Sequence, residues 1–215
     1  MQQDIVIVVA GGGPSQAAAP GPLPPRATVI AADGGVDRAL ALGLRVDVAI
    51  GDFDSITPEG LAAAEAAGAR VERHPAAKDA TDLELALDAA VALSPSRVLV
   101  VGHDGGRLDH LLAVLLLLGS DRYAGVEVDA YLGRAWTHVV RRERTLHGTM
   151  GEIVSLLPLH GPAENVTTAG LEYPLRGETL PPGSSRGVSN VFAAGTAHIA
   201  VGCGTLIALR PREEA

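Results

Sequence analysis

The chain has 215 residues, with 25 acidic against 17 basic side chains and a formal net charge of −8. That length suits one or two domains with a real core. The charge balance argues against a basic nucleic-acid groove or a polybasic membrane surface. Cys203 is the single cysteine, which excludes an intrachain disulfide and a multi-cysteine metal cage. The N-terminal stretch MQQDIVIVVAGGG lacks the basic flank of a signal peptide. The longest strongly apolar run, Leu111 to Leu118, falls far short of the roughly 20 residues that span a bilayer. A cytoplasmic protein with neither a membrane nor a nucleic-acid partner is expected. Among the basic residues sixteen are Arg and one, Lys78, is Lys.

Strand and helix signals alternate through the first half. Asp4–Ala10 (DIVIVVA) is a β-branched run that reads as a buried strand. Residues 11–25 are too rich in Gly and Pro for a regular element and read as a loop. Strand Thr28–Ala32, helix Gly35–Leu42 and strand Val46–Ile50 follow, the last broken by GDFDS. Thr57 and Pro58 suit an N-cap with Pro at the first helical position, opening a helix to about Ala67. After a short strand, Arg70–Arg73, the segment Thr81–Glu84 fits a capping box that opens a helix to about Leu93. Strand Arg97–Val101, helix Arg107–Leu118 and strand Val126–Leu132 complete the alternation. This rhythm predicts a Rossmann-like α/β domain, residues 1–134, with a parallel sheet covered by helices.

From about Arg134 the helical period vanishes. Short β-rich segments remain at Ala135–Val140, Glu152–Leu157, Asn165–Thr168, Ser189–Phe192, Thr196–Val201 and Thr205–Leu209. An all-β antiparallel sandwich domain, residues 135–215, is the expectation.

Five aspartates fall in three short segments: Asp33 in ADGG, Asp52 and Asp54 in GDFDS, Asp79 and Asp82 in KDATD. Each segment lies near the C-terminal end of a predicted strand, the edge at which open parallel sheets bind ligands. Carboxylates gathered there repel one another and need a cation when ionised. An oxygen-only ligand set favours Mg²⁺ over zinc. Two Asp flanking a Phe place both acids on one side of an extended segment, so Asp52 and Asp54 are the candidate metal pair. Plainer roles exist for the others. Asp before Gly is a common turn residue, which suffices for Asp33, and helix capping accounts for Asp79 and Thr81.

The segment GHDGGRLDH, residues 102–110, lies between a strand and a helix. Its glycines allow close backbone approach to a phosphate, and the helix start offers free N–H groups. Arg107 can grip phosphate oxygens in bidentate fashion; Asp109 in the first turn also suits the helix dipole.

ADGG, GDFDS, KDATD and GHDGGRLDH, in this order and spacing, resemble the thiamine pyrophosphokinase (thiamine diphosphokinase) family. The C-terminal half agrees, since GLEYPL at 170–175 and GSSRGVSN at 183–190 look like that family's thiamine-binding domain. The resemblance implies transfer of a pyrophosphoryl group from ATP to the hydroxyethyl oxygen of thiamine, giving thiamine diphosphate and AMP, by a Mg²⁺-dependent homodimer. It implies that Asp52, Asp54 and Asp82 are the Mg²⁺-associated acids and that Asp33 is a further catalytic-site acid. Thr81, Arg107 and Asp109 then fall in its nucleotide-handling segments, and Ser189 and Asn190 meet thiamine, supplied by the other subunit; Lys78 and Asp79, beside Thr81, are further candidate ATP contacts. Two positions depart from the pattern. His103 and Asp104 stand where small or apolar residues are expected, and Val191 stands where many relatives carry Glu.

Two other functions share parts of this pattern. DFDS has the spacing of a Mg²⁺-dependent phosphatase with an aspartyl nucleophile, Asp52, but such an enzyme would leave KDATD, GGRLDH and the β-rich half without a task. A non-catalytic nucleotide or thiamine sensor would bind without turnover. Lys78, placed directly before Asp79, is expected to point into the ATP site, because a compact ammonium and a forked guanidinium are not interchangeable near phosphates.

Overall fold

The structure is a computed structural model that describes residues 4–11, 21–102 and 107–212. The chain forms two compact units, Met1–Leu112 with Val126–Arg134, and Ala113–Gly125 with Ala135–Ala215.

The first unit contains β1 (Ile5–Ala10), β2 (Thr28–Ala32), α1 (Gly35–Ala41), β3 (Val48–Gly51), α2 (Pro58–Ala66) and β4 (Arg70–Arg73). It continues with α3 (Asp82–Ala92), β5 (Arg97–Gly102), the start of α4 (Leu108–Leu118) and β6 (Glu127–Leu132). Its strands run in the order β4-β3-β2-β1-β5-β6, with every neighbouring pair parallel. Central strands of a parallel sheet are covered on both faces, so they read as unbroken apolar runs. Val6, Ile7, Val8 and Val9 of β1, and Val98, Val100 and Val101 of β5, are all buried.

The strand sequence walks outward from β1 to β4 and then returns to β5 on the other side of β1. That reversal opens a crevice at the C-terminal strand ends, where ligands of such sheets bind. A Cβ on Gly35 would lie 2.1 Å from the Val9 carbonyl, so glycine is what lets α1 begin directly against β1. Thr57 caps α2 by accepting from the Gly60 N–H at 3.0 Å. Asp37 of α1 accepts from both the Thr57 N–H and its hydroxyl, at 2.9 and 2.8 Å, tying the two helices together. Thr81 caps α3, accepting from the Glu84 N–H at 3.2 Å.

In the second unit β7 (Ala135–Val140), β8 (Glu143–His147), β9 (Ile153–Ala169), β10 (Arg176–Leu180), β11 (Asn190–Val191), β12 (Thr196–Ala200) and β13 (Cys203–Pro211) pair antiparallel throughout. Their inward residues, among them Leu156, Val166, Leu175, Phe192, Ile199 and Leu206, form one apolar cluster.

Two segments expected to be separate, Glu152–Leu157 and Asn165–Thr168, are parts of the single long strand β9. The strand turns through His160 (φ 60°) and Asn165 (φ 52°) and so pairs with β13 along its first part and with β12 and β10 along its last. Strands β8 and β10 carry little apolar signal. Only Leu146 of β8 and Leu180 of β10 are buried, which leaves the sequence pattern of both nearly polar. No helix among the described residues is long and apolar enough to cross a membrane.

Candidate active site

Three carboxylates meet at the C-terminal edge of the parallel sheet. Asp33, Asp52 and Asp82 each offer one oxygen, and these oxygens lie within 4.8 Å of one another. Asp33 directly follows β2 and adopts φ 47°, with its N–H donating to the Ile50 carbonyl at 2.8 Å. Asp52 directly follows β3, and Asp82 is the first residue of α3. The capped start of α3 therefore aims a carboxylate at the ends of two strands, and helix N-termini favour negative charge.

Gly51 makes the gathering possible. A Cβ there would stand 3.1 Å from Asp82 Oδ1, 3.1 Å from Asp33 Cβ and 3.2 Å from Asp33 Cα, on a backbone with φ 153°. The Ser55 hydroxyl donates to Asp33 Oδ2 and fixes that side chain. Gly51 and Ser55 both belong to the motif GDFDS, yet a strand-end acid motif gives no sign that its flanks perform these tasks.

Asp54 lies outside the trio and is exposed. The expectation that Asp52 and Asp54 share one side needs an extended segment between them. Phe53 instead adopts φ 61°, which breaks the alternation, and the Arg73 guanidinium sits 5.0 Å from the Phe53 ring centroid.

Lys78 points into the cluster. Its ammonium lies 3.0 Å from Asp82 Oδ1 and 3.6 Å from Asp52 Oδ2, with 14% of the side chain exposed. Close polar contact with Asp82, reinforced by the charges of Asp82 and Asp52, outweighs desolvation and raises the Lys78 pKa above the ordinary lysine value. The three carboxylates are thus offset in part from within the fold. Among the described residues Asp33 Oδ1 is buried without a hydrogen-bond partner, and Asp82 Oδ1, also buried, meets the ammonium without an aligned hydrogen bond.

The remaining predicted residues are placed as follows. Asp79 is exposed, and Thr81 spends its hydroxyl on the cap of α3. Arg107 and Asp109 grip one another, with the Arg107 Nη2 to Asp109 Oδ2 contact at 2.6 Å, and both side chains are largely exposed. The Arg107 guanidinium holds the Asp109 carboxyl below its usual range. His103 and Asp104 lie outside the described residues.

In the second unit Ser189 is exposed at φ 55°, its N–H donating to the Ser155 hydroxyl at 3.0 Å. Asn190 is buried, at 1% exposure. Its Oδ1 accepts from the N–H groups of Tyr173 and Val191 at 3.1 and 2.9 Å, and its Nδ2 donates to the Tyr173 carbonyl at 2.7 Å. The side chain of Asn190 therefore clamps the GLEYPL segment, and it is Tyr173, 52% exposed, that this clamp presents to solvent.

Comparison with known proteins places these two regions side by side with known ones. The thiamin pyrophosphokinase catalytic-domain family matches residues 24–128, and the thiamin pyrophosphokinase vitamin B1 binding-domain family matches residues 137–206. Thiamine pyrophosphokinase of Bacillus subtilis is 29% identical over 191 residues, spanning 84% of this chain and 86% of that protein. Thiamine pyrophosphokinase 1 of Oryza sativa is 26% identical over 197 residues, spanning 79% and 74%. The crystal structure of thiamine pyrophosphokinase from Bacillus subtilis superposes with a TM-score of 0.86 at 27% identity, covering 98% of this chain and 100% of that one. The crystal structure of thiamin pyrophosphokinase from Geobacillus thermodenitrificans gives 0.81 at 27% identity, covering 98% and 99%.

Proposed function

The chain belongs to the thiamine pyrophosphokinase family, and from that premise we infer that it transfers a pyrophosphoryl group from ATP to the hydroxyethyl oxygen of thiamine. The bond between the α-phosphate and its bridging oxygen to the β-phosphate is kept on the AMP side; the β-phosphorus changes partner, from that bridging oxygen to the thiamine oxygen, and the hydroxyl proton is released. The observation that carries this reading is the meeting of Asp33, Asp52 and Asp82 at the ligand-binding edge of the sheet. An aspartyl-nucleophile phosphatase needs none of the second unit, and this chain matches the vitamin B1 binding family there.

The residues fit Mg²⁺. The donor set is all oxygen, as that ion prefers, and Asp33 Oδ1 is a buried acceptor with no hydrogen-bond partner among the described residues. Asp33, Asp52 and Asp82 would hold the ion, which would supply positive charge against the charge developing on the transferring phosphates. The rest of the task is positioning, since phosphoryl-type transfer asks little covalent work of a protein. Gly51 brings the acids close, Ser55 orients Asp33, and the α3 cap orients Asp82. Lys78 and Arg107 supply positive charge to the phosphates, Arg107 by exchanging its exposed Asp109 partner for them. Asp33 and Asp82 are the candidates for receiving the hydroxyl proton. Asp54 and Asp79, both exposed, are assigned to the nucleotide.

Thiamine is assigned to the second unit, read as a β-sandwich, with Ser189 and Tyr173 as contact residues and Asn190 as the residue that positions Tyr173. The homodimer is assigned to α4. Leu108, Leu112 and Leu116 recur every four residues and are 79%, 55% and 40% exposed, an apolar stripe along one side of the helix. A cytoplasmic setting suits a chain whose single cysteine is free.

Incubation with ATP, Mg²⁺ and thiamine followed by chromatographic separation tests the whole. Thiamine diphosphate together with AMP is the expected result. ADP with free phosphate, or no thiamine-dependent turnover, would overturn it in favour of a phosphatase or a sensor.

A further inference from the structure

Lys78 stands where a cation is wanted and is itself a cation. Its ammonium touches two of the three clustered carboxylates, at 3.0 Å from Asp82 and 3.6 Å from Asp52. The contacts are sheltered, with 14% of Lys78, 18% of Asp52 and 23% of Asp82 exposed. Asp82 Oδ1 is buried and hemmed in by the backbone of Gly51, where even a methyl group would come within 3.1 Å. An ammonium and a divalent ion brought together on that oxygen repel one another strongly at such short range. A divalent ion entering alone must first push the ammonium off the carboxylates and leave it without a partner, which is unfavourable for a sheltered charge. A divalent ion entering with a polyphosphate brings the ammonium a new partner, and the flexible four-carbon stem of lysine lets it follow.

We propose that Lys78 is an internal counter-ion that keeps bare divalent metal out of the Asp33–Asp52–Asp82 site and yields that site to a metal already carrying nucleotide phosphates. The inference rests on the metal-site assignment above and goes beyond it, because it concerns the order and coupling of binding. It also gives a reason for lysine in a chain whose other sixteen basic residues are arginine. A guanidinium is planar and branched, fixes its donors in a fork, and would bridge the carboxylates more permanently than an ammonium that rotates about one bond.

The test is direct Mn²⁺ binding to the full chain, followed by electron paramagnetic resonance of the free ion or by calorimetry, with and without a non-hydrolysable ATP analogue. In the absence of nucleotide, Lys78→Met should bind Mn²⁺ at least tenfold more tightly than the wild type, a difference of about 1.4 kcal/mol. With the analogue present the advantage should shrink or reverse, because the variant has lost a phosphate partner. Lys78→Arg retains the charge and should bind bare Mn²⁺ no better than the wild type. Equal affinity of wild type and Lys78→Met for bare Mn²⁺ would overturn the inference while leaving the metal site intact. Absence of Mn²⁺ binding in every protein, with and without the analogue, would overturn the metal assignment and the inference with it. A thermal melt establishes that each variant is folded, and Lys78→Gln replaces Lys78→Met should the latter not fold.

Discussion

Replacing Gly51 with alanine probes how tightly the three acids are assembled. The new methyl would sit 3.1 Å from Asp82 Oδ1 and from Asp33 Cβ, so these neighbours must give by a few tenths of an ångström. The backbone there, at φ 153°, disfavours any side chain, and an L-residue forced to positive φ costs about 1–2 kcal/mol. For a chain of this size each kcal/mol lowers Tm by roughly 2–4 °C, so a drop of about 2–8 °C is expected. A misplacement of about 1 Å can cost a hundredfold in rate, so a shift of a few tenths should cost about four- to tenfold. Gly43→Ala is the matched control. It also sits at positive φ (72°), but a Cβ there would meet nothing within 4 Å. It should lower Tm comparably and leave turnover per folded molecule unchanged. Initial rates of thiamine diphosphate formation, measured well below both melting temperatures, separate the two effects. If Gly51→Ala loses stability but turns over like Gly43→Ala, the packing of Asp33 and Asp82 against Gly51 has no bearing on catalysis.

Three further predictions follow the same geometry. Asp33→Asn should weaken Mn²⁺ binding in the presence of an ATP analogue by tenfold or more, whereas Asp54→Asn should change it less than threefold; equal losses would return Asp54 to the ligand set. Asn190→Ala strands two half-buried N–H groups and a carbonyl, at a cost toward the low end of the about 1–3 kcal/mol of an unmet buried polar group. It should raise the KM for thiamine several-fold with the KM for ATP unchanged, Asn190→Asp falling between because it keeps the acceptor and loses the donor. A KM for thiamine equal to the wild type would refute the positioning role. Leu112→Arg places a charge in the exposed stripe of α4 and should shift the mass seen by light scattering from dimer to monomer, and an unshifted dimer would move the interface elsewhere.

The first unit was readable because its physics is local. β1 and β5 are continuous apolar runs with no polar break, as burial on both faces requires, and Thr57 and Thr81 announce the starts of α2 and α3 one residue before they begin. The second unit was harder to read, because its strands are defined by partners distant in sequence. β8 buries one residue of five, and nothing in RERTLH distinguishes it from a loop until β12 pairs with it from Thr196 to Ala200. The sequence pattern splits β9 in two because its Pro and Gly residues, at 158, 161 and 162, punctuate it as loops do. The strand survives them because its pairing passes from β13 to β12 and β10 across that stretch.

The site divides along the same line, between residue type and backbone path. That acids would gather at the strand ends was legible from ADGG, GDFDS and KDATD; which acids would meet was not, because it turns on two dihedral angles. Asp33 at φ 47° and Phe53 at φ 61° both occupy a region that a non-glycine residue enters at a cost of about 1–3 kcal/mol. The first is held there by the bond from its N–H to the Ile50 carbonyl and by the Ser55 hydroxyl; the second has the Arg73 guanidinium close over its ring. Phe53 breaks the extended run between Asp52 and Asp54, and the carboxylate of Asp33 lies with those of Asp52 and Asp82, so the grouping depends on residues at positive φ. No periodicity or spacing rule registers such an exchange, since an extended DFD and a bent one have the same letters. Asn190 repeats the pattern in the second unit. Its letter suggests a ligand contact, while its burial and its bonds to the Tyr173 backbone, which no spacing rule registers, are what the proposed positioning role rests on.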